Sequence, residues 1–169
     1  MISTQIFVRY AEIQVLKGSA EFVLEGIGAG LGVACFDPST QVAGAAFFML
    51  PNSPDGETSM RPAQFVDRGL NELVGLMERL GADRLNMKLA FAGGARLGLE
   101  AQDQFESFDI GYRNVIALNT ELEKLGIKNS GQETGGSIGR TLVFNVASGE
   151  VRINRIVGGT LKLTNLREG

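Results

Sequence analysis

LGVACFDPSTQVAGAAFFML, residues 31–50, consists of two apolar runs joined by a polar turn. The first run, Leu31 to Asp37, ends at Asp37-Pro38-Ser39-Thr40, residue types that favour chain reversal through local side-chain hydrogen bonds and a fixed φ. The second, Val42 to Leu50, is apolar almost throughout. Two such runs across a short turn predict neighbouring antiparallel strands in a buried core. Extended to Pro51, the second run has ten residues, about half the ~20 that a helix needs to cross a bilayer. It reads as a strand and not as a membrane span.

Upstream, Gln5 to Tyr10, Glu12 to Lys17 and Glu21 to Leu24 read as strands, with Gly18 and Ser19 separating the last two. Gly26-Ile27-Gly28-Ala29-Gly30-Leu31-Gly32 then invites comparison with phosphate loops. A Walker loop requires Lys and then Ser or Thr after its last glycine, and a dinucleotide fingerprint opens a helix. Here Gly32 leads into Val33, Ala34, Cys35 and Phe36, a strand. The glycines therefore read as a tight turn or bulge where backbones crowd.

Downstream, Asn52 to Ser59 is a polar loop and Pro62 suits a first helical turn. Phe65, Val66, Leu70, Leu73, Val74, Met77 and Leu80 recur at spacings of three and four, which predicts a helix from Pro62 to Leu80 stopped by Gly81. Lys88 to Ala92 reads as a short core strand closed by Gly93-Gly94, and Leu97 to Asp109 as a polar loop. A second helix is predicted over Gly111 to Leu125, burying Val115, Ile116, Leu118, Asn119, Leu122 and Leu125, with Gly126 ending it. Asn129 to Gly139 is polar and rich in glycine; Thr141 to Val146 and Glu150 to Val157 form a hairpin around Ala147-Ser148-Gly149. The expected architecture is α+β: one domain over residues 1–157, its mixed, largely antiparallel sheet covered by two main helices, then a tail, 158–169, loosely paired or disordered.

Composition narrows function. The 169 residues are 44% apolar and 21% charged, as in a single globular domain. A net charge of −3 offers no excess cation to neutralise phosphates, so nucleic acid is not an expected partner. There is no histidine, which excludes Ser-His-Asp and Cys-His hydrolysis, His-ligated zinc and an imidazole proton shuttle. One cysteine makes neither an intramolecular disulfide nor a thiolate cluster, and the first residues lack the layout of a secretory signal. A cytoplasmic address without membrane insertion and without a cofactor is expected. Cys35, on an apolar strand with no basic neighbour, reads as a small buried hydrophobe. Serine chemistry lacks a base, and no Ser-x-x-Lys pattern supplies one. Glu100, Asp103, Glu106 and Asp109 are spaced like one helical face, and a polar acidic loop explains them as well.

A set of motifs carries a resemblance. Cys35-Phe36-Asp37-Pro38, Phe47-Phe48-Met49-Leu50-Pro51, Ala92-Gly93-Gly94-Ala95, Ile110-Gly111-Tyr112-Arg113-Asn114, Glu133-Thr134-Gly135-Gly136 with Arg140, and Ser148-Gly149-Glu150-Val151 together resemble the chemoreceptor glutamine deamidase CheD family, in order and spacing from residue 8 to residue 157. The resemblance implies an α/β sandwich related to cysteine-dependent deamidases, which hydrolyse glutamine side chains of chemoreceptors. That chemistry uses a thiolate to attack the amide carbon and an imidazole to activate it and protonate the departing ammonia. Counted from Asp37 and from Pro51, the family's cysteine and histidine positions fall on Gly30 and Phe47. A family threonine six residues before the cysteine falls on Leu24, and the serine before the cysteine on Ala29. Cys35 lies five residues after Gly30, an odd separation that places it on the opposite strand face.

The chain thus resembles a catalytically degenerate member of the family. The expectation is a non-catalytic protein that binds chemoreceptor cytoplasmic helices or a CheC-type phosphatase. Gly93, Gly94, Arg113, Asn114, Gly135, Gly136 and Arg140 are the partner-binding candidates, since the resemblance gathers their loops near the cleft. Arg113 and Arg140 each offer a planar fork of donors suited to carboxylates. Two alternatives stand beside this reading. One is a related hydrolase using Cys35 or a carboxylate of the Gln102 to Asp109 region; the other is a structural, oligomeric protein with Phe47 plugging the cleft.

Overall fold

The two runs of residues 31–50 are strands in the computed structural model, which describes residues 4–54, 61–96 and 109–168. The elements run β1 (Gln5–Phe7), β2 (Ile13–Lys17), β3 (Glu21–Ile27), β4 (Leu31–Asp37), β5 (Val42–Phe48), α1 (Val66–Arg79), β6 (Lys88–Gly93), α2 (Ile110–Leu125), β7 (Lys128–Thr134), β8 (Arg140–Asn145), β9 (Glu150–Arg155) and β10 (Gly159–Asn165). Strands β4 and β5 pair antiparallel, from Leu31 opposite Phe48 to Asp37 opposite Val42. Their turn is organised by the Asp37 carboxylate, which accepts from the Ser39 amide and hydroxyl and from the Thr40 hydroxyl at 2.6–2.9 Å.

Two five-stranded sheets result: a central one in the order β2-β5-β4-β6-β7 and an outer one in the order β1-β3-β8-β9-β10. Strand alternation sorts the central side chains. Val33, Cys35, Ala46, Phe48, Leu89 and Phe91 pack with the helices, against Leu70, Leu73, Val74 and Leu118. Ala34, Phe36, Ala43, Ala45, Phe47 and Ala90 point the other way and pack with Phe22, Leu24, Phe144 and Ile153 of the outer sheet. The molecule is therefore layered as helices, central sheet and outer sheet. Burial on both faces explains why β4 and β5 read as continuous apolar runs without polar alternation. Among the named strands of the described residues, β1 with β3 and β6 with β7 pair in parallel and the rest antiparallel. The α+β class with a largely antiparallel arrangement stands, its strands divided between two sheets where the sequence suggested one.

Several local expectations are refined. The first helix begins as a 3-10 turn, Pro62–Gln64, and breaks at Phe65. Leu50 forms a strand-like bridge there: its amide donates to the Gln64 carbonyl, and its own carbonyl accepts from the Val66 amide. Helix α1 starts only after that interruption and stops before Gly81, whose φ of 103° suits a left-handed stop. At the head of α2 the Asp109 carboxylate caps the Tyr112 amide at 3.0 Å. Ile116, expected on the buried face, is 47% exposed. It precedes Leu118 by two residues, about 200° around a helix of 3.6 residues per turn.

Residues 128–134, read as a polar glycine-rich stretch, form β7, an edge strand in parallel with β6. It is held by backbone pairing and has no fully buried side chain to signal it. Residues 159–165, placed in the tail by the sequence reading, form β10 in antiparallel register with β9, and Leu166 beyond them is fully buried. Most of the loop expected over Leu97 to Asp109, with Glu100, Asp103 and Glu106, lies outside the described residues, as does part of the Asn52 to Ser59 loop.

Candidate functional site

Between β3 and β4 the chain crosses from the outer to the central sheet in three residues, Gly28-Ala29-Gly30, after an irregularity in the β3–β8 register between Leu24 and Ile27. The glycine-rich segment is thus a bulge followed by a tight crossover, and it opens no helix. The crossover is stitched to the end of β6: the Gly94 amide donates to the Gly30 carbonyl at 3.0 Å and the Ala95 amide to the Gly28 carbonyl at 3.1 Å. In turn the Gly135 amide donates to the Gly93 carbonyl at 3.0 Å and the Arg96 amide to the Gly136 carbonyl at 2.9 Å. Three loops distant in sequence lie side by side.

Strand polarity makes this one end of the sandwich, where β3, β5, β6, β7 and β9 finish and β4, β8, β10 and α2 begin. At this end stand Tyr10, Tyr112, Ile156 and Val157, large apolar side chains that are exposed, with Ile116 just over one helical turn further along α2. Leu80 and Leu85 are exposed at the opposite end.

Gly30 and Phe47 are neighbours, as the resemblance requires of the positions they occupy. A Cβ on Gly30 would lie 3.3 Å from Phe47 Cε1 and 2.6 Å from the Phe48 carbonyl oxygen. Phe47 is 1% exposed, and Tyr10 covers it edge to face with ring centroids 4.8 Å apart. The Tyr10 hydroxyl donates to the Gly26 carbonyl at 3.3 Å, and Arg61 donates to the Tyr10 carbonyl at 3.0 Å. The covering ring is placed by Ala11, whose φ of 59° is uncommon for a residue with a side chain and turns the chain back towards β2. Leu24 is fully buried in the core between the sheets. Beside Tyr10 a groove of about 510 Å³ opens on the outer sheet between Phe7, Tyr10 and Val23, with Arg9 and Glu25 also lining it.

Cys35 is fully buried on the helix side of β4, the face opposite Phe47. Burial pushes its thiol from 9.0 up to about 12, reinforced by the nearby Asp37 charge and only partly offset by a hydrogen bond from the Phe36 backbone. A thiol kept protonated by burial is a poor nucleophile near neutral pH. Among the described residues no three His, Cys, Asp or Glu side chains converge as a metal site, and no helix is long and apolar enough to cross a membrane.

The partner-binding candidates divide. Arg113 is exposed on α2 and Gly136 at its loop, with Gly135 half-buried. Gly93 and Gly94 are buried, and their backbones have φ of 132° and 66°. A side chain on Gly93 would strike the Gly30 carbonyl oxygen. Gly135 and Gly136 have φ of 81° and 67°. Backbone geometry alone therefore accounts for these four glycines.

Neither Asn114 nor Arg140 reaches the surface. Asn114 is fully buried and donates through Nδ2 to the Ala29 carbonyl at 2.9 Å and the Met49 carbonyl at 3.1 Å. Arg140 is 3% exposed; its fork is spent on the Glu133 carboxylate, on the Gly135 carbonyl at 2.8 Å and on the Gly93 carbonyl at 3.4 Å. Glu133 stood in the quoted motif without a role. A buried guanidinium needs a carboxylate, and Glu133, seven residues upstream, is the one that the β7–β8 connection returns to it. Tyr10 had no sequence signal: it closes a segment that reads as an ordinary strand.

A family model described as CheD chemotactic sensory transduction matches residues 49–155. The chain is 32% identical to a probable chemoreceptor glutamine deamidase CheD of Desulforamulus reducens over 161 residues, covering 95% of this chain and 96% of the relative. It is 32% identical to the protein of the same description from Moorella thermoacetica, over 94% of this chain and 95% of the relative. With that of Pyrococcus abyssi it shares 31% identity over 94% and 96%. Two sheets under two helices, closed at one end by the glycine loops, are thus the framework of a chemotaxis protein. The chain belongs to the CheD family.

Proposed function

We propose that this chain is a non-catalytic CheD-family protein that acts in the cytoplasm by binding, its partner a chemoreceptor signalling helix or a CheC-type phosphatase. One observation carries the reading: the space at Gly30, the position that the resemblance pairs with the family's cysteine, is closed by the Phe47 ring and the Phe48 carbonyl. No imidazole exists anywhere in the chain to act as base. A nucleophile and its base act as a unit, so their joint loss leaves no partial mechanism. Recognition does not require either group, because a surface that holds a helix works through shape and apolar contact.

The exposed apolar side chains gathered at the crossover end support a binding role at that end. Arg113 is the charged candidate there, suited to a carboxylate on the partner. The test is twofold. Purified protein releases no ammonia from chemoreceptor cytoplasmic peptides on which an intact deamidase acts. The same peptides, or the phosphatase, bind with a Kd of about 1 μM, roughly −8 kcal/mol, weakened by Arg113→Ala without loss of fold. Ammonia release abolished by Cys35→Ala overturns the first part, and no heat of binding with either partner overturns the second.

The cover of Tyr10 over a buried Phe47 favours one other reading, a structural protein whose cleft has become core. That reading gains if the protein proves oligomeric and binds neither partner.

A further inference from the structure

The edges of the two sheets are β1, β10, β2 and β7, and they are not guarded alike. A strand edge presents unpaired N–H and C=O groups, and natural proteins keep other strands off it with charge, irregularity or cover. β10 carries Lys162 beside an irregularity in its register, and it lies against β7, where a Cβ on Gly131 would stand 3.3 Å from Thr164 Cβ. β7 itself carries Lys128 and Glu133, and β2 carries Lys17. Among these described edge strands β1, Gln5-Ile6-Phe7, is the one without a charged residue. Its orientation follows from its flanking bonds: the Glu21 amide donates to the Thr4 carbonyl and the Val8 amide to the Val23 carbonyl, both at 2.9 Å, so the even-numbered residues face β3. Backbone groups alternate sides along a strand, so Gln5 and Phe7 direct theirs to the open side, where no other described strand pairs with them. Phe7 is 47% exposed and Ile6 half-buried.

We infer that β1 is a self-association edge, which pairs antiparallel with β1 of a second copy of this chain across a two-fold axis at Ile6. A two-fold requires the paired strands to run antiparallel. Centred on Ile6, it sets Gln5 opposite the partner's Phe7, and the outward N–H and C=O groups of both residues then bond reciprocally. The Ile6 side chains meet on the core side as a close non-hydrogen-bonded pair, about 4.5 Å between Cα atoms. On the outer face the two Phe7 rings become diagonal neighbours within reach of each other. The outer sheets run on as one across the axis, and β1 brings no charge against a like charge. Three residues a side bury far less than the ~800 Å² per partner of a standard interface, so the pair is weak and reversible, with a Kd of about 10–100 μM. The inference rests on neither reading of function. A chain that is monomeric at every concentration removes it without touching receptor or phosphatase binding, and loss of that binding leaves the edge as it is.

The test uses the full chain. Sedimentation equilibrium from about 5 to about 300 μM brackets that constant, and the mass should rise from 18.1 kDa towards twice that value. Over the same range, hydrogen exchange should slow at the amides of Gln5 and Phe7, which only the second copy can bond, and stay unchanged at Val8, already bonded to Val23. Gln5→Pro removes one outward donor and Phe7→Lys supplies the missing charge; each should weaken association about tenfold or more with an unchanged circular dichroism spectrum. Introduced thiols read the register, since the native Cys35 is buried and silent. Ile6→Cys should oxidise to a linked dimer about ten times faster than Phe7→Cys, because residue 6 faces itself across the axis within the Cα separation of about 4.4–6.8 Å that a disulfide spans. A monomer at about 300 μM overturns the inference. So does a dimer whose Gln5 and Phe7 amides exchange as fast as in dilute solution, since the copies then meet elsewhere, and so does faster oxidation at Phe7→Cys. Slowed exchange at those amides in a monomer, seen only when a receptor peptide is added, makes β1 a docking edge for a foreign strand and overturns the second copy as its occupant. Sedimentation and exchange on the unsubstituted chain decide the matter even where a variant fails to fold.

Discussion

Arg140→Ala separates architecture from recognition. The guanidinium binds the Glu133 carboxylate and two backbone carbonyls, of Gly135 and Gly93, from a position almost without solvent. Removing one member of a buried ion pair costs about 3–5 kcal/mol, because the other is left uncompensated. Here the loss belongs in the lower half of that range, since Glu133 retains some exposure and has Arg155 at 3.9 Å. With about 2–4 °C in Tm per kcal/mol for a domain of this size, the variant should melt some 6–16 °C below the parent. Thermal unfolding followed by far-UV circular dichroism measures it. The double variant Arg140→Met, Glu133→Gln should recover much of the loss, since removing both charges ends the uncompensated burial. Were Arg140→Ala to melt within about 2 °C of the parent and yet bind its partner poorly, the fork would be a contact residue and the structural assignment would fail.

Other outcomes follow from the same geometry. Burial alone would raise the Asp37 pKa, but hydrogen bonds from the Asp83 amide and from Ser39 and Thr40 outweigh it and hold the carboxyl below its ordinary value. A depressed folded pKa contributes stability above the unfolded value of about 3.9, lost as pH falls through the folded one. Asp37→Asn should therefore lower stability at pH 7 and flatten its acid dependence in pH-stepped urea titrations. Native Cys35 should resist disulfide reagents until the chain unfolds, and labelling of the folded protein at neutral pH would contradict its burial. Leu73→Ala, in the core beneath α1, should cost about 2–5 kcal/mol; a loss too small to measure would mean that this face is not packed.

How much of this was readable depended on whether side chains or backbone did the work. Helix α1 and strands β4 and β5 announce themselves because burial selects apolar residues at fixed spacing, and Leu70, Leu73, Val74 and Met77 are all fully buried. β7 owes its place to backbone pairing at a sheet edge, which leaves no periodic trace in Lys128–Thr134, whereas in β10 only Leu161 and Leu163 alternate with polar residues, a pattern of two positions. Position 30 and position 47 could be brought together only through motif spacing, and the structure makes them adjacent. The burial of Arg140 and Asn114 left no mark in the sequence, which shows that a fork of donors exists but not which acceptors surround it. Glu133 and the carbonyls of Ala29 and Met49 come from distant segments that only the fold assembles.

On the proposed reading, the crowding at Gly30 constrains how a partner can be recognised. A deamidase must admit a glutamine side chain to its nucleophile, so its site is a hole. At Gly30 the hole is occupied: the Phe47 ring lies against the glycine, Tyr10 lies over the ring, and the tyrosine hydroxyl is itself anchored on Gly26. What this end of the molecule still presents is surface, with Tyr10 and Tyr112 as amphipathic rings and Ile156 and Val157 at the tip of the β9–β10 hairpin. Aromatic and branched apolar groups on rigid elements suit contact with a helix laid across them, with little ordering entropy to offset on binding. On the proposed reading, penetration is lost and apposition remains. A helix bound by apposition contributes several side chains over two or more turns, so substituting one receptor glutamine should leave affinity unchanged. Titrations with Gln→Ala receptor peptides decide the point: a large loss from any one glutamine would mean that the cleft opens and the side chain enters it.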